Sequence, residues 1–223
     1  MIPAAVVFDC DGVLVDSEPH SIAAWLEVLG GWGHPATGAD VAGCIGLGFV
    51  PTHEALSVVA PLPSPDIVWP TLLAALERSF RGGLEVFDDA VAVVDECMAR
   101  RVPMAVVSAS PRARLDLTLA AAGLAGRFGV SVAGDEVPHP KPAPDGYLAA
   151  AVGLGMAAGA CVAVEDSPAG VRSAAAAGMR VVAVVRPGAD GESLEAAGAT
   201  VVAQLTSELV LGFGAGHGES GSR

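Results

Sequence analysis

Asp9 and Asp11 stand two residues apart directly after the apolar run 4–8, and strand periodicity points both side chains the same way. Two carboxylates held that close repel, so the pairing is costly unless a cation or a shared proton compensates. A hard divalent ion such as Mg²⁺ favours oxygen ligands and supplies that compensation. Gly12 then lets the backbone turn sharply. Further polar residues stand where other apolar runs stop: Ser108 after 104–107, and Glu165 with Asp166 after 161–164. Lys141 lies in the Pro-rich segment HPKPAPDGYL. Singly, each has a plainer reading. An isolated D-x-D is a solvated acidic loop, Ser108 a turn residue, Lys141 a surface charge, and Glu165 with Asp166 a negative cap on the next helix. Ser110, with Pro111 behind it, is explained as an N-cap.

The elements that must position these groups follow from the apolar pattern. Short β-branched runs at 4–8, 104–107, 130–133, 161–164, 181–185 and 200–203 alternate with helical patterns over 88–100, 111–122, 143–152 and 168–177. Asp88 opens the first of these helices, and Ser110 with Pro111 the second. Strands apolar on both faces and separated by helices predict a doubly wound α/β fold, a parallel sheet covered on each side. Such sheets bind ligands at the carboxyl edge, where Asp9, Ser108 and Glu165 fall. Almost a hundred residues separate the first two strands, and 19–80 read as helical. An inserted helical domain accounts for them, punctuated into short helices by Pro61, Pro63, Pro65 and Pro70, with Arg81, Gly82 and Gly83 as the return. The expected division is a core of 1–16 and 84–213, a helical insert of 17–83, and a loose tail of 214–223.

Composition bounds the function. The 223 residues are 52% hydrophobic and 17% charged, which excludes disorder for most of the chain. A formal charge of -13 sets nucleic acid and anionic membranes aside as partners. Cys10, Cys44, Cys97 and Cys161 form no C-x-x-C clip, so a reducing compartment is expected. The amino terminus carries no basic leader and its apolar run stops at Asp9, which predicts a cytoplasmic protein. The uncharged stretch 146–164 is rich in Ala and Gly and is read as helix, turn and strand rather than a membrane span. GLGMAA from Gly153 follows a helix and precedes a strand, the reverse of the dinucleotide-binding order.

Taken in order, the motifs resemble the haloacid dehalogenase superfamily over about four-fifths of the chain. Its first signature, a strand followed by D-x-D-G-x-x-x-D, matches Asp9 to Asp16; MAVVSAS matches the second at Ser108, Lys141 the third, and Glu165 with Asp166 the fourth. The resemblance implies a Rossmann-like core with a helical cap, and phosphoryl transfer in which Asp9 is the nucleophile that forms an aspartyl-phosphate. Asp11 would be the general acid and base. Mg²⁺ would be held by Asp9, the Asp11 backbone carbonyl, Asp166 and Glu165. Lys141 would steady the nucleophile, Ser108 would bind phosphate, and Ser110 would do so secondarily. His20, just after the first motif, resembles a substrate-facing position of sugar-phosphate members.

DGVLVDSEP and KPAPDGYL are similar to the branch of sugar phosphatases, phosphoglycolate phosphatase and beta-phosphoglucomutase. Asp11 argues against a dehalogenase, which lacks an acid there. Phe49 stands where the mutases carry an arginine that grips a second phosphate, so a Mg²⁺-dependent phosphatase of a small phosphorylated metabolite, a sugar or polyol phosphate, is the expected function. A mutase with Arg78 or Arg81 as the substitute clamp is the alternative, and a phospho-accepting signalling domain a further one. Asp88 and Asp89 stand where Pro-Gly commonly opens the core helix after the cap. A monomer is the expected assembly.

Overall fold

A computed structural model describes residues 2–44, 46–187 and 189–212. Its main sheet has six parallel strands, β1 (Ala5–Phe8), β4 (Met104–Val107), β5 (Val130–Val132), β6 (Cys161–Glu165), β7 (Arg180–Val184) and β8 (Thr200–Val202). Their spatial order is β5-β4-β1-β6-β7-β8, the doubly wound arrangement expected from the alternating pattern. Strands β1 and β4 are buried at every residue, as a sheet covered on both faces demands.

The two faces separate by period two. Val6, Phe8, Val106, Val164 and Val182 pack with α5 (Asp88–Arg100) on one side. Val7, Ala105, Val107, Ala163 and Val181 pack with α7 (Asp145–Gly153) and α8 (Pro168–Ala176) on the other. That second face is built largely from Ala and Val, so helices approach the sheet closely. An added Cβ on Gly146 or Gly153 of α7 would meet Val107 or Val130 at 2.9 and 3.0 Å. Close packing of this kind is what a Gly- and Ala-rich composition serves.

Between β1 and β4 lies the helical insert, with α1 (Glu18–Gly31), α2 (Gly38–Ala42), α3 (Phe49–Val59) and α4 (Pro65–Phe80). It has a core of its own, formed by Trp25, Leu29, Leu56, Leu72, Leu76 and Phe80. Two short strands that the apolar pattern does not reveal flank it. Strand β2 (Val15–Asp16) pairs antiparallel with β3 (Glu85–Val86), so both connections leave the core side by side.

Several expectations need correction. Pro70 does not break the insert; it lies inside the sixteen-residue α4, which begins at Pro65. The helix survives the lost backbone bond because Val68 and Leu72 on either side are buried in the insert core. Ser110 is not the N-cap of α6 (Arg112–Ala121), since Pro111 holds that place and the Ser110 hydroxyl turns to Asp11. Helices α9 (Gly191–Ala196) and α10 (Ser207–Gly212) are too short to show periodicity in the sequence. The stretch 146–164 is helix, 3-10 turn and strand as read, and among the described residues no helix is long and apolar enough to cross a membrane. The expected tail 214–223 lies outside the described residues.

Candidate active site

Strand register brings the polar residues together. Phe8 is level with Val106 of β4 and Val164 of β6, so Asp9, Ser108 and Glu165 emerge at one carboxyl edge. The Asp9 amide donates to Val164 O at 2.9 Å, which extends the ladder by one residue and holds Asp9 at the strand tip. At Gly12 the backbone turns with φ +83, and a Cβ there would lie 1.8 Å from Asp166 Oδ2. Only glycine satisfies both the left-handed conformation and the close approach.

Lys141 donates to Asp9 Oδ1 at 2.5 Å, to Glu165 Oε1 at 2.6 Å and to the Val107 carbonyl at 3.1 Å. Glu165 is fully buried. It accepts from the Tyr147 hydroxyl at 2.6 Å, and its second oxygen accepts from the Ser167 hydroxyl at 3.2 Å and the Asp166 amide at 3.2 Å. A buried carboxylate with this many donors has its polar atoms satisfied. Burial would lower the Lys141 pKa, but Asp9 and Glu165 outweigh it and raise the ammonium well above its ordinary value.

Asp11 faces a different set of donors. Ser108 and Ser110 hydroxyls reach its Oδ2 at 3.3 and 3.2 Å, Arg114 Nη2 reaches Oδ1 at 3.2 Å, and Ser17 donates to the same oxygen. Burial raises its pKa, yet Arg114 and the three hydroxyls prevail and hold it below the ordinary carboxylate value. Asp9 behaves oppositely. Burial, together with Glu165 and Asp166, raises it well above the ordinary value against the pull of Lys141. Asp166 is pushed up to about 7 by burial and by Glu165.

Oxygen atoms of Asp9, Glu165 and Asp166 lie within 4.8 Å of one another. With Asp11, four carboxylates face two cations, Lys141 and Arg114. The surplus of negative charge, the all-oxygen donor set and the raised pKa values of Asp9 and Asp166 fit a hard divalent cation.

A family model of haloacid dehalogenase-like hydrolases matches residues 3–178. The chain belongs to that family. Among curated proteins, this hydrolase is 35% identical over 183 residues to the fructose-1-phosphate phosphatase YqaB of Escherichia coli, covering 81% of this chain and 96% of that one. It is 31% identical over 212 residues to the phosphorylated carbohydrates phosphatase of Thermotoga maritima, covering 93% and 96%. The solved HAD family hydrolase from Deinococcus radiodurans R1 with bound phosphate and sodium superposes with a TM-score of 0.68 at 30% identity, covering 92% of each chain.

The hydrolase brings Asp9, Asp11, Ser108, Ser110, Lys141, Glu165 and Asp166 to one edge. His20, on α1, has its Nδ1 2.7 Å from Ser79 Oγ and its ring edge-on to Phe80. Arg78 and Arg81 are exposed and paired with Glu27 and Glu77 at 2.5 and 2.7 Å. Phe49 packs among Trp25, His53 and Trp69 of the insert. Three site residues were not anticipated: Ser17, Arg114 and Tyr147. For Arg114 a signal existed. Arg112 and Arg114 both sit in the first turn of α6, where the helix dipole disfavours cations, so each needs a carboxylate partner.

Proposed function

We propose that this hydrolase is a Mg²⁺-dependent phosphatase of a small phosphorylated metabolite, a sugar or polyol phosphate, working through an aspartyl-phosphate on Asp9. The observation that carries the reading is the Asp9 carboxylate held by Lys141 beside an Asp11 that touches Ser108 and Ser110. The relatives that act on phosphorylated carbohydrates support the substrate class.

In the first step an Asp9 carboxylate oxygen bonds to phosphorus while the bond from phosphorus to the leaving oxygen breaks, and Asp11 gives that oxygen its proton. In the second, Asp11 takes a proton from water, whose oxygen bonds to phosphorus as the Asp9–phosphorus bond breaks. Arg114 and three hydroxyls hold Asp11 as the carboxylate from which the second step starts. Lys141 holds Asp9 in the attacking position. Ser108 and Ser110, whose hydroxyls already sit beside the carboxylate, donate to phosphate oxygens. Asp9, the Asp11 backbone carbonyl, Asp166 and Glu165 would hold Mg²⁺, which when bound screens the anionic nucleophile from an anionic phosphate.

Residues 17–83 act as a cap that excludes water and selects the leaving group. Support comes from Gly48 at the start of α3, where a Cβ would stand 3.1 Å from the Ala109 carbonyl between Ser108 and Ser110. His20 is assigned to the substrate side of α1, and His20→Ala should raise KM more than it lowers kcat. The aromatic setting of Phe49 and the ion-paired state of Arg78 and Arg81 favour a phosphatase over a mutase. All four cysteines are buried free thiols, in keeping with a reducing compartment; the assembly read for it is a monomer of the cytoplasm.

The test is incubation with a panel of sugar and polyol phosphates and Mg²⁺, measuring inorganic phosphate and isomerised sugar together. Phosphate release is expected, abolished by Asp9→Asn and by chelation. Isomerisation without release, or hydrolysis surviving Asp9→Asn, overturns the reading.

A further inference from the structure

Asp89, one of the two acids standing in place of Pro-Gly, is the anchor of a buried cluster behind the site. Its side chain is 8% exposed and forms a two-pronged pair with Arg186, at 2.9 Å to Oδ1 and 3.0 Å to Oδ2. The Leu205 and Ala90 amides donate to the same carboxylate at 3.0 and 2.8 Å. Arg186 follows the carboxyl end of β7 and has two further targets. Its Nε donates to the Gly12 carbonyl and its Nη2 to the Val13 carbonyl, both at 3.1 Å, while its guanidinium lies 3.7 Å over the Phe87 ring. A planar fork can hold a carboxylate and two carbonyls in one fixed arrangement; an ammonium cannot.

The two carbonyls belong to the turn that follows Asp11. That turn also stands against Asp166, where Gly12 leaves no room for a Cβ. The turn is therefore bonded to Arg186 and in close approach to Asp166. Phe87, under the guanidinium, ends the return connection from the insert, and its amide donates to Leu14 O at 3.0 Å. We infer that Arg186, with Asp89 as its counter-charge, is a positioning residue for the carboxylate site: it sets how far the Asp11–Gly12 backbone stands from Asp166.

The inference rests on the metal-assisted reading above and is tested by binding rather than turnover. The probe is Mn²⁺ titrated into the chelator-stripped full chain, with free Mn²⁺ followed by paramagnetic resonance. Two variants are compared at a temperature well below their melting points: R186K, which keeps the charge but loses the fork, and R186Q/D89N, which leaves no unpaired buried charge. The expected result is Mn²⁺ affinity weakened about 10-fold or more in both, the usual effect of removing a group that orients metal ligands. A purely structural role would lower the melting temperature and leave affinity alone. Unchanged Mn²⁺ affinity in either folded variant overturns the inference while the metal reading stands. A wild-type chain that binds no Mn²⁺ overturns the metal reading, and this inference with it.

Discussion

Asp11 accepts from Ser17, Ser108, Ser110 and Arg114 together, so a single oxygen-to-nitrogen change interrogates its chemistry without removing bulk. Asp11→Asn should lower turnover of an alkyl phosphate by about 10²–10⁴, the range of general acid–base catalysis. The loss should be smaller for p-nitrophenyl phosphate, whose leaving group departs without a proton. Steady-state kcat/KM for both esters, which reports formation of the aspartyl-phosphate, checks this, and equal losses there would remove the acid from the mechanism. Much of this site was legible at the residue scale, because Asp9, Ser108 and Glu165 each end an apolar run and Lys141 sits in a local motif. For Arg114 the need of a carboxylate was legible but its identity was not, since Asp11 lies 103 positions away and nothing local ties the two together.

At the scale of elements, the loop 108–110 is gripped from two directions. The Ser108 amide donates to Val132 O at 3.0 Å, and Gly134 N donates to Ser110 O at 2.9 Å. An added Cβ on Gly134 would lie 2.4 Å from the Ala109 carbonyl oxygen, a backbone atom that cannot rotate away. Gly134→Ala is therefore expected to destabilise the fold by about 1–3 kcal/mol through overpacking, and to displace both serines. Urea denaturation measures the first effect. A raised inhibition constant for inorganic phosphate measures the second, and an unchanged constant would show that the loop does not bind phosphate. Gly12→Ala should be more severe, losing divalent-ion binding altogether, because the new methyl would occupy the place of the Asp166 carboxylate. Titration calorimetry with Mg²⁺ decides it.

The whole molecule should register the buried carboxylates in its pH dependence. Burial raises Asp9 and Asp166 in the fold, Asp166 to about 7 from 3.8. Groups raised on folding contribute stability that is complete below their unfolded value and is lost as pH rises through the folded one. Asp11 and Asp89 are shifted the other way, Asp11 by Arg114 and Asp89 by the Arg186 hydrogen bonds that overcome its burial. Their contribution is present above the ordinary carboxylate range and is lost as pH falls through their lowered folded values. The metal-free chain should accordingly melt highest near pH about 4 and lose stability progressively as pH rises towards about 7. Mg²⁺ should raise the melting temperature most on the alkaline side, where it takes the place of the lost protons. Melting curves with chelator and with Mg²⁺ across this range test both statements. A Mg²⁺ effect independent of pH would contradict them.

The sequence alone determined the layered fold and most of the site, because two-sided apolar strands have one economical packing and their polar tips must share an edge. It also placed the helical insert, from the length between the first two strands. Tertiary structure decided what joins distant segments. The pairing of β2 with β3, the continuity of α4 through Pro70, the Arg114–Asp11 contact and the Asp89–Arg186 cluster each depend on groups far apart in the chain. Local periodicity carries no record of such partners. Their positions come from how the elements pack, and from the need of every buried charge to find its counterpart.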